Sequence, residues 1–239
     1  MSRFFVTPLQ VSGELIKITG TDVTHIKNVL RYGIGEIIYI CDGNAVEYIT
    51  EIIEIAGDSV TCLVKEVLGV ATELETQITL FQGIPKGDKM ELIIQKTVEL
   101  GVYEIVPVLM ERVIVKFDEK KDIDKKLERW NRISMEAAKQ CRRGIIPTVL
   151  KPMKLNEALA YSCGQLLMPY ENEVNTTLKS QLSGKNKKIS ILIGPEGGIS
   201  QIEAKDAVSK GFIPITLGAR ILRTETAGMA VIAAISLMG

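Results

Sequence analysis

The sequence has little histidine and cysteine. Its 239 residues include one histidine and four cysteines, and the cysteines are Cys41, Cys62, Cys141 and Cys163. No two of them form a C-x-x-C pair, so their spacing indicates neither a zinc site nor a disulfide framework. We therefore expect reduced thiols and no bound metal.

Long apolar runs are also lacking. The longest apolar stretch covers residues 227–238 and has 12 residues, whereas a helix that crosses a bilayer needs roughly 20. The chain does not open with a charged and then apolar signal segment. These features predict a cytoplasmic protein that does not contact a membrane. With 46% hydrophobic residues, the chain can bury the core of one large domain or of two modest ones.

Net charge is absent too, because 29 basic residues balance 29 acidic ones. The balance alone gives no support to a nucleic-acid partner. The charges are nevertheless uneven: residues 112–154 contain 13 basic and 6 acidic residues, a balance of +7, while residues 1–70 contain 5 and 9. A mixed-charge helical face would explain part of the basic excess. Few acids surround Arg142, Arg143, Lys151 and Lys154, however, so phosphate contacts there are the competing interpretation.

Residues 3–66 are predicted to form a small β-rich module. Their β-branched runs are separated by glycine and aspartate turns, a pattern typical of a small barrel. One helix is predicted over residues 21–31, with Thr21 as its N-cap and an apolar stripe of Val23, Ile26 and Leu30. His25 and Lys27 lie off that stripe, where a surface position and a ligand-binding role both stay open. Residues 67–76 are predicted to form a linker.

From residue 77 onwards, strands and helices alternate. The spacing predicts a helix over 86–101 that ends at Gly101, a strand over 104–110 and a long helix over about 123–143. Such alternation predicts a mostly parallel sheet that is covered on both faces. The last helix, from residue 224, is apolar almost all round. Either the core of one subunit or a second subunit must cover it.

Two short β-branched runs end in glycine-containing loops. ISILI (189–193) leads into GPEGG (194–198), and FIPITL (212–217) leads into GARILRTETA (218–227). Glycine lets a backbone approach a bound molecule and present bare N–H and C=O groups. Ser200 and Glu203 form a capping box that begins a helix after the first loop. Each loop alone is typical of an ordinary strand-to-helix turn, but together they predict a ligand site.

Seven segments carry a family resemblance that covers nearly the whole chain. The sequence resembles the RsmE family of ribosomal RNA uridine N3-methyltransferases, which belong to the SPOUT superfamily. The segments are RFFV (3–6), HIKNVLR (25–31), KGDKMELIIQKTVELGV (86–102), ER (111–112), EAAKQCRRGIIP (136–147), LIGPEGGIS (192–200) and LGARILRTETA (217–227). The last two motifs together are highly specific for this family.

The resemblance implies an α/β fold with two domains. Residues 1–70 would form a PUA-like β-barrel that binds RNA, and residues 77–239 would form a SPOUT-type trefoil-knotted methyltransferase domain. It further implies S-adenosyl-L-methionine as the cofactor and a homodimer. The implied substrate is N3 of a uridine in the 16S ribosomal RNA of the small ribosomal subunit. Steric connection rules would not suggest a knot, so this feature comes from the family alone.

The resemblance also implies site residues, which fall into three groups. The implied cofactor-binding residues are Ile193, Gly194, Pro195, Glu196, Gly197, Gly198, Leu217, Gly218, Ile221, Leu222 and Thr226. The implied RNA-binding residues are Arg3, His25, Lys27, Arg31, Lys86, Lys89, Arg112, Gln140, Arg142 and Arg143. The implied catalytic residues are Arg223, Arg143, Glu196 and Glu225. Lys139 stands where we expect an acidic residue in the family.

Methylation of N3 requires the loss of an imide proton and a positive group near a uracil oxygen. Arg223 or Arg143 suits the second role, and Glu196 or Glu225 could accept the proton. Two other functions stay open at this point. One is a SPOUT enzyme that methylates a ribose or another base. The other is a non-catalytic RNA-binding or nucleotide-binding protein, in which GPEGG would bind phosphate.

Overall fold

The chain forms two compact units. The computed structural model describes residues 3–114, 120–182 and 187–238. The N-terminal unit contains Met1–Glu73 and Ala138–Ile146, and the C-terminal unit contains Leu74–Ala137 and Pro147–Gly239. The sequence did not predict that residues 138–146 return to the first unit. The assignment of an RNA-binding domain to residues 1–70 and a knotted domain to residues 77–239 stays a prediction.

The N-terminal unit is built on a six-stranded sheet with the order β1-β4-β5-β6-β3-β2. Its β1 and β4 are parallel, and the remaining pairs are antiparallel. Strand β3 alternates exposed and buried residues, so Ile16 and Ile18 enter a core that also contains Phe4 and Ile40. The strands are β1 (Arg3–Phe5), β2 (Val11–Ser12), β3 (Leu15–Thr19), β4 (Ile37–Cys41), β5 (Val46–Ile55) and β6 (Ser59–Gly69), with a 3-10 turn at Pro8–Gln10.

The predicted helix of this unit has two parts. An α-helical turn, α1 (Thr21–Thr24), continues as a π-helical segment at His25–Leu30. Val23 and Ile26 are buried, as the apolar stripe predicted. The N-cap prediction was wrong: Gly20 is the N-cap, with a φ of 78° that a residue with a side chain rarely adopts.

The linker prediction was wrong for residues 67–69, because β6 continues to Gly69. Beyond that strand, the chain packs on the returning segment 138–146. The hydroxyl of Thr72 donates to the carbonyl of Arg142, and the amides of Gly144 and Ile145 donate to Glu73. These hydrogen bonds fasten the returning segment to the end of the first unit.

The C-terminal unit has a seven-stranded sheet in which every pairing is parallel. The order is β10-β8-β7-β12-β11-β13, and β9 pairs with β8. Ile189 to Ile193 of β12 are all buried, as expected for a strand with both faces covered. The strands are β7 (Gln77–Gly83), β8 (Glu104–Leu109), β9 (Thr148–Val149), β10 (Met153–Lys154), β11 (Gln165–Pro169), β12 (Lys188–Ile193) and β13 (Ile213–Ile215).

In the described chain, six helices lie between or after the strands of this sheet in the sequence. Helix α2 begins at Lys89, three residues later than predicted, and Gly101 follows its end with a φ of 99°, as the C-cap pattern predicted. The helices are α2 (Lys89–Glu99), α3 (Lys120–Gln140), α4 (Leu155–Tyr161), α5 (Leu178–Gln181), α6 (Gln201–Ser209) and α7 (Thr224–Met238). Within the described ranges, no helix is both long enough and apolar enough to cross a membrane.

Candidate functional site

Three neighbouring strands of the parallel sheet end beside one cavity. Strands β12, β11 and β13 pair side by side, so their carboxyl ends lie at the same edge of the sheet. This edge is where open α/β sheets bind ligands. The cavity has a volume of about 560 Å³ and is lined by the loops that follow the three strands, together with Lys89 of α2 and Thr224 and Ala227 of α7.

The first loop needs glycine for steric reasons. A Cβ on Gly194 would lie 2.8 Å from Cγ1 of Ile199 and 3.0 Å from the carbonyl carbon of Gly198. Gly198 has a φ of 73°, and its amide closes a turn by donating to the carbonyl of Pro195 at 2.9 Å. At Gly194 and Gly198, the backbone itself therefore forms the wall of the cavity.

The predicted capping box after this loop is confirmed. The amide of Glu203 donates to Oγ of Ser200 at 3.3 Å, and the amide of Ser200 donates to Oε2 of Glu203 at 3.0 Å. The other carboxylate oxygen of Glu203 accepts the amide of Glu111 at 2.7 Å. Since Glu203 is buried, these bonds hold the start of α6 against the end of β8.

The second glycine loop is tied to the loop after β11. The amide of Thr216 donates to the carbonyl of Thr176 at 2.8 Å, and the amide of Tyr170 donates to the carbonyl of Ile215 at 3.0 Å. Gly218 has a φ of 107° and donates its amide to the hydroxyl of Thr216 at 3.2 Å. The two walls are thus joined through their backbones.

Lys89 lies between two carboxylates at one side of the cavity. Its Nζ is 2.8 Å from Oε1 of Glu196 and 3.8 Å from Oε2 of Glu225. The backbone amide of Lys86 also donates to Glu196 at 3.1 Å. Burial acts to raise the pKa of Glu196, but the hydrogen bonds from Lys89 and from backbone amides outweigh it and lower the pKa below its ordinary value. Glu196 is therefore an ionised carboxylate that already accepts hydrogen bonds from Lys86 and Lys89.

The remaining charged groups of the lining are exposed, apart from Glu173, which is half-buried. Backbone hydrogen bonds from Thr176 and Asn175 lower the pKa of Glu173. Arg220 and Arg223 extend from the second glycine loop. Across the described part of the chain, neither guanidinium forms an ion pair.

The structure brings most of the predicted cofactor residues together. The cavity lining includes Ile193, Gly194, Pro195, Glu196, Gly198, Leu217, Gly218, Ile221 and Leu222. Gly197 and Thr226 are not part of it. The carbonyl of Gly197 instead accepts a hydrogen bond from Nη1 of Arg112 at 2.5 Å. Of the proposed catalytic residues, Glu196 and Arg223 line the cavity, and Glu225 is outside the lining but has its Oε2 3.8 Å from Nζ of Lys89.

Arg143 belongs to the N-terminal unit, outside the unit that contains the cavity. Its side chain is 5% exposed, and its Nη2 lies 2.6 Å from Oε2 of Glu73. Arg3 is similarly engaged, since it pairs with Glu47 and donates to the carbonyls of Arg142 and Arg143. The predicted RNA-binding residues of this unit that are exposed are His25, Arg31, Gln140 and Arg142.

Sequence reasoning missed the wall formed after β11. Residues 169–171 and 173–174 line the cavity, including the carboxylates of Glu171 and Glu173. The available signal was the apolar run at 166–168 followed by a polar loop, which is the same strand-then-loop pattern as in the two glycine loops. This loop has no glycine to mark it as a ligand loop. Ile199, Ile215, Thr216 and Ala227 were missed as well.

The C-terminal unit has an all-parallel sheet with a cavity at its strand ends, which is the arrangement of a ligand-binding α/β protein. Comparison with known proteins shows the family to which it belongs. Residues 72–236 match the family model of an RNA methyltransferase domain, and residues 18–65 match that of an RNA methyltransferase PUA domain. The chain therefore belongs to the RNA methyltransferase family, with a PUA-like N-terminal part.

Individual relatives give the comparison more detail. The chain is 35% identical to the ribosomal RNA small subunit methyltransferase E of Bacillus subtilis, over 99% of this chain and 96% of that protein. The enzyme of the same name from Neisseria gonorrhoeae, solved bound to S-adenosyl methionine, has a TM-score of 0.87 and 32% identity over 100% of this chain and 98% of that one. A Legionella pneumophila putative methyltransferase, solved in complex with the same cofactor, has a TM-score of 0.86 and 30% identity over 99% and 97%.

Proposed function

We propose that this protein transfers the methyl group of S-adenosylmethionine to N3 of a uridine in the RNA of the small ribosomal subunit. The observation that carries the proposal is the backbone-lined cavity between the GPEGG loop and the loop at residues 216–223. Relatives that match almost the full chain are named as methyltransferases of this RNA.

The cavity suits the cofactor in size and in chemistry. About 560 Å³ lies within the range of small-molecule sites, roughly 300–1,000 Å³. Backbone groups of residues 194–198 would read the polar edge of an adenine, while Ile193, Leu217 and Leu222 would enclose its faces. Glu171 and Glu173 supply negative charge for the cationic part of the ligand. When bound, the cofactor supplies an electrophilic methyl group on a sulfonium.

Arg223 is the residue that we assign to the uracil oxygen. N3 becomes nucleophilic when its proton leaves, and the resulting negative charge spreads onto the neighbouring carbonyl oxygens. A guanidinium fixed beside one of them would lower the barrier. Arg223 lines the cavity and forms no ion pair within the described chain, whereas Arg143 is buried against Glu73. We therefore give this role to Arg223 alone.

Glu225 is the better of the two candidate proton acceptors. Both carboxylate oxygens of Glu196 already accept hydrogen bonds, and its lowered pKa makes it a weak base. Oε2 of Glu225 is buried and lies 3.8 Å from Nζ of Lys89, but it accepts no hydrogen bond from the described residues. We propose that Glu225 accepts the N3 proton through a water molecule, since its side chain does not line the cavity.

The N-terminal unit would bind the RNA through its exposed polar residues. Arg31 and Arg142 are exposed and hold their backbones at left-handed φ angles of 56° and 62°. His25 and Gln140 are also exposed. Local basic groups of this kind can contact phosphates in a domain whose net charge is acidic. Lys86 and Arg112, which are exposed in the C-terminal unit, would add contacts there.

We further propose that the protein is a cytoplasmic homodimer with a knotted C-terminal domain. Ala227, Val231, Ile232 and Ile235 of α7 are buried, yet Leu237 near its end is 87% exposed. A second subunit would cover that apolar end. Light scattering of the purified protein gives the mass: twice 26.3 kDa supports the dimer, and a monomer refutes it.

Two measurements test the function. Calorimetry should show binding of S-adenosylmethionine but not of ATP or GTP, and nucleotide binding instead would support the non-catalytic alternative. Mass spectrometry of small-subunit ribosomal RNA, with and without the protein, should show one added methyl on N3 of a uridine. A methyl on a ribose or on another base would assign the protein to a different reaction of the same superfamily.

A further inference from the structure

A chain of buried hydrogen bonds leads from the central strand to the cavity wall. Nε2 of Gln82 donates to Oγ1 of Thr224 at 2.8 Å, and the Thr224 hydroxyl donates to the carbonyl oxygen of Gly194 at 2.6 Å. Gly194 and Thr224 line the cavity, whereas Gln82 lies behind them and is 0% exposed. The three residues belong to β12's loop, the first turn of α7 and the end of β7.

The direction of this chain follows from its chemistry. Nε2 of Gln82 also donates to the carbonyl of Gly83 at 3.0 Å, and a carbonyl can only accept. The single proton of the Thr224 hydroxyl is directed to Gly194, so Oγ1 must accept from Gln82. Turning the amide over would place its oxygen against two acceptors. The NH₂ group of Gln82 therefore faces Thr224.

This arrangement leaves Oε1 of Gln82 buried without a hydrogen-bond partner in the described chain. A buried, unpaired amide oxygen is unfavourable, and an apolar side chain at this position would avoid it. Gly228 of α7 faces this oxygen, and an added Cβ there would lie 3.6 Å from it, an ordinary van der Waals contact. The side-chain amide of Gln82 is therefore retained for the hydrogen bond that its NH₂ group donates.

We propose that Gln82 is a positioning residue for the cofactor, acting through Thr224 to hold the carbonyl of Gly194 turned away from the ligand. Gln82 pairs in register with Ile193, the residue just before that carbonyl. Gly194 has no side chain, so its own ψ angle is restricted mainly by hydrogen bonds, while the ring of Pro195 fixes φ on the other side of this peptide. The proposal rests on S-adenosylmethionine being the ligand of this cavity, as proposed above.

Thr224→Val tests the proposal, because valine keeps the shape of threonine and removes the hydroxyl. We expect the dissociation constant for S-adenosylmethionine to rise by about tenfold, as for the loss of one buried hydrogen bond that shapes the wall. Thr224→Ser, which retains the hydroxyl, should stay within about threefold of the wild type. Gln82→Met should weaken binding as Thr224→Val does. The double variant should be no weaker than either single one, because both break the same chain.

Thr97→Val is the matched control. Thr97 is also fully buried, and its hydroxyl donates to the carbonyl of Ile93 within α2, so this variant loses a buried hydroxyl without touching the chain. It should lose thermal stability and bind S-adenosylmethionine normally. The proposal is overturned if Thr224→Val binds like the wild type, or if Thr97→Val weakens binding as much.

Hydrogen exchange separates this proposal from the assignment of the ligand. In the ligand-free protein, a peptide that covers residues 194–199 should exchange faster in Thr224→Val than in the wild type or in Thr97→Val. If the wild type fails to bind S-adenosylmethionine, the proposed function is wrong, and the exchange still decides whether Thr224 holds the loop. Unchanged exchange in Thr224→Val refutes the positioning role.

Discussion

Arg143 and Glu73 form a nearly buried ion pair in the N-terminal unit. Nη2 of Arg143 lies 2.6 Å from Oε2 of Glu73, and the two side chains are 5% and 14% exposed. The same carboxylate accepts the amides of Gly144 and Ile145. The pair therefore joins the end of the first chain segment to the segment that returns 70 residues later.

Loss of this pair should destabilise the N-terminal unit. Arg143→Ala leaves the Glu73 carboxylate without its cation, and removal of one partner of a buried pair costs about 3–5 kcal/mol. Arg142→Ala is the control, because Arg142 is exposed and its side chain forms no ion pair in the described chain. Thermal unfolding measures both variants. Equal melting curves for the two variants would contradict the structural role of Arg143.

Substitution of Arg223 should lower the rate of methyl transfer and leave the affinity for S-adenosylmethionine unchanged. Arg223→Lys keeps the charge but loses the planar guanidinium, so single-turnover methyl transfer should fall by about a hundredfold or more. Arg220→Lys, on the same loop, should change the rate little. If the affinity for S-adenosylmethionine falls in parallel with the rate, Arg223 binds the cofactor and another group stabilises the uracil oxygen.

Gly218 should matter for the ligand more than for the fold. Gly218→Ala places a side chain at a φ of 107°, where nothing lies within 4 Å of the new Cβ, so the cost is backbone strain of about 1–3 kcal/mol. Relaxation of this strain would move the cavity wall and weaken S-adenosylmethionine binding. Gly43→Ala meets the same conditions at a φ of 78° in the N-terminal unit. Calorimetry should show normal binding by that control. Equal binding by both variants would contradict the role of the second glycine loop in binding the ligand.

The contact between Lys89 and Glu196 should give a pH-dependent stability. The hydrogen bonds that outweigh burial lower the pKa of Glu196 in the folded state. The stabilisation is therefore complete above the unfolded pKa and is lost as the pH falls through the folded one. Glu196→Gln should melt below the wild type near neutral pH, and the gap should close at acid pH. If the difference in melting temperature between the two proteins widens as the pH falls, the predicted direction of the pH dependence is wrong.

The four thiols should differ in reactivity. Burial raises the pKa of Cys41 and of Cys62 to about 11, so both stay protonated near neutral pH. Cys163 is exposed. A maleimide reagent followed by peptide mass spectrometry should modify Cys163 quickly and leave Cys41 and Cys62 intact until the protein unfolds. Cys163→Ser should abolish the fast phase, and fast labelling of Cys62 in the folded protein would contradict its burial.

The local features of this protein were present in its sequence. Alternation in β3, the buried run of β12 and the capping box at Ser200 each depend on residues a few positions apart, so pattern and stereochemistry suffice to predict them. The two glycine loops were recognisable for the same reason. The resemblance of the motifs to one family then identified the ligand class that the comparisons support.

Only the tertiary structure decided which distant residues meet. Several acids could have paired with Arg143, and nothing nearby in the sequence selects Glu73. Gln82 and Thr224 are separated by 142 residues, and the loop after β11 enters the cavity only because β11 pairs between β12 and β13. Ion pairs and buried hydrogen bonds depend on distances of a few ångströms, which folding sets between segments that the sequence presents as unrelated.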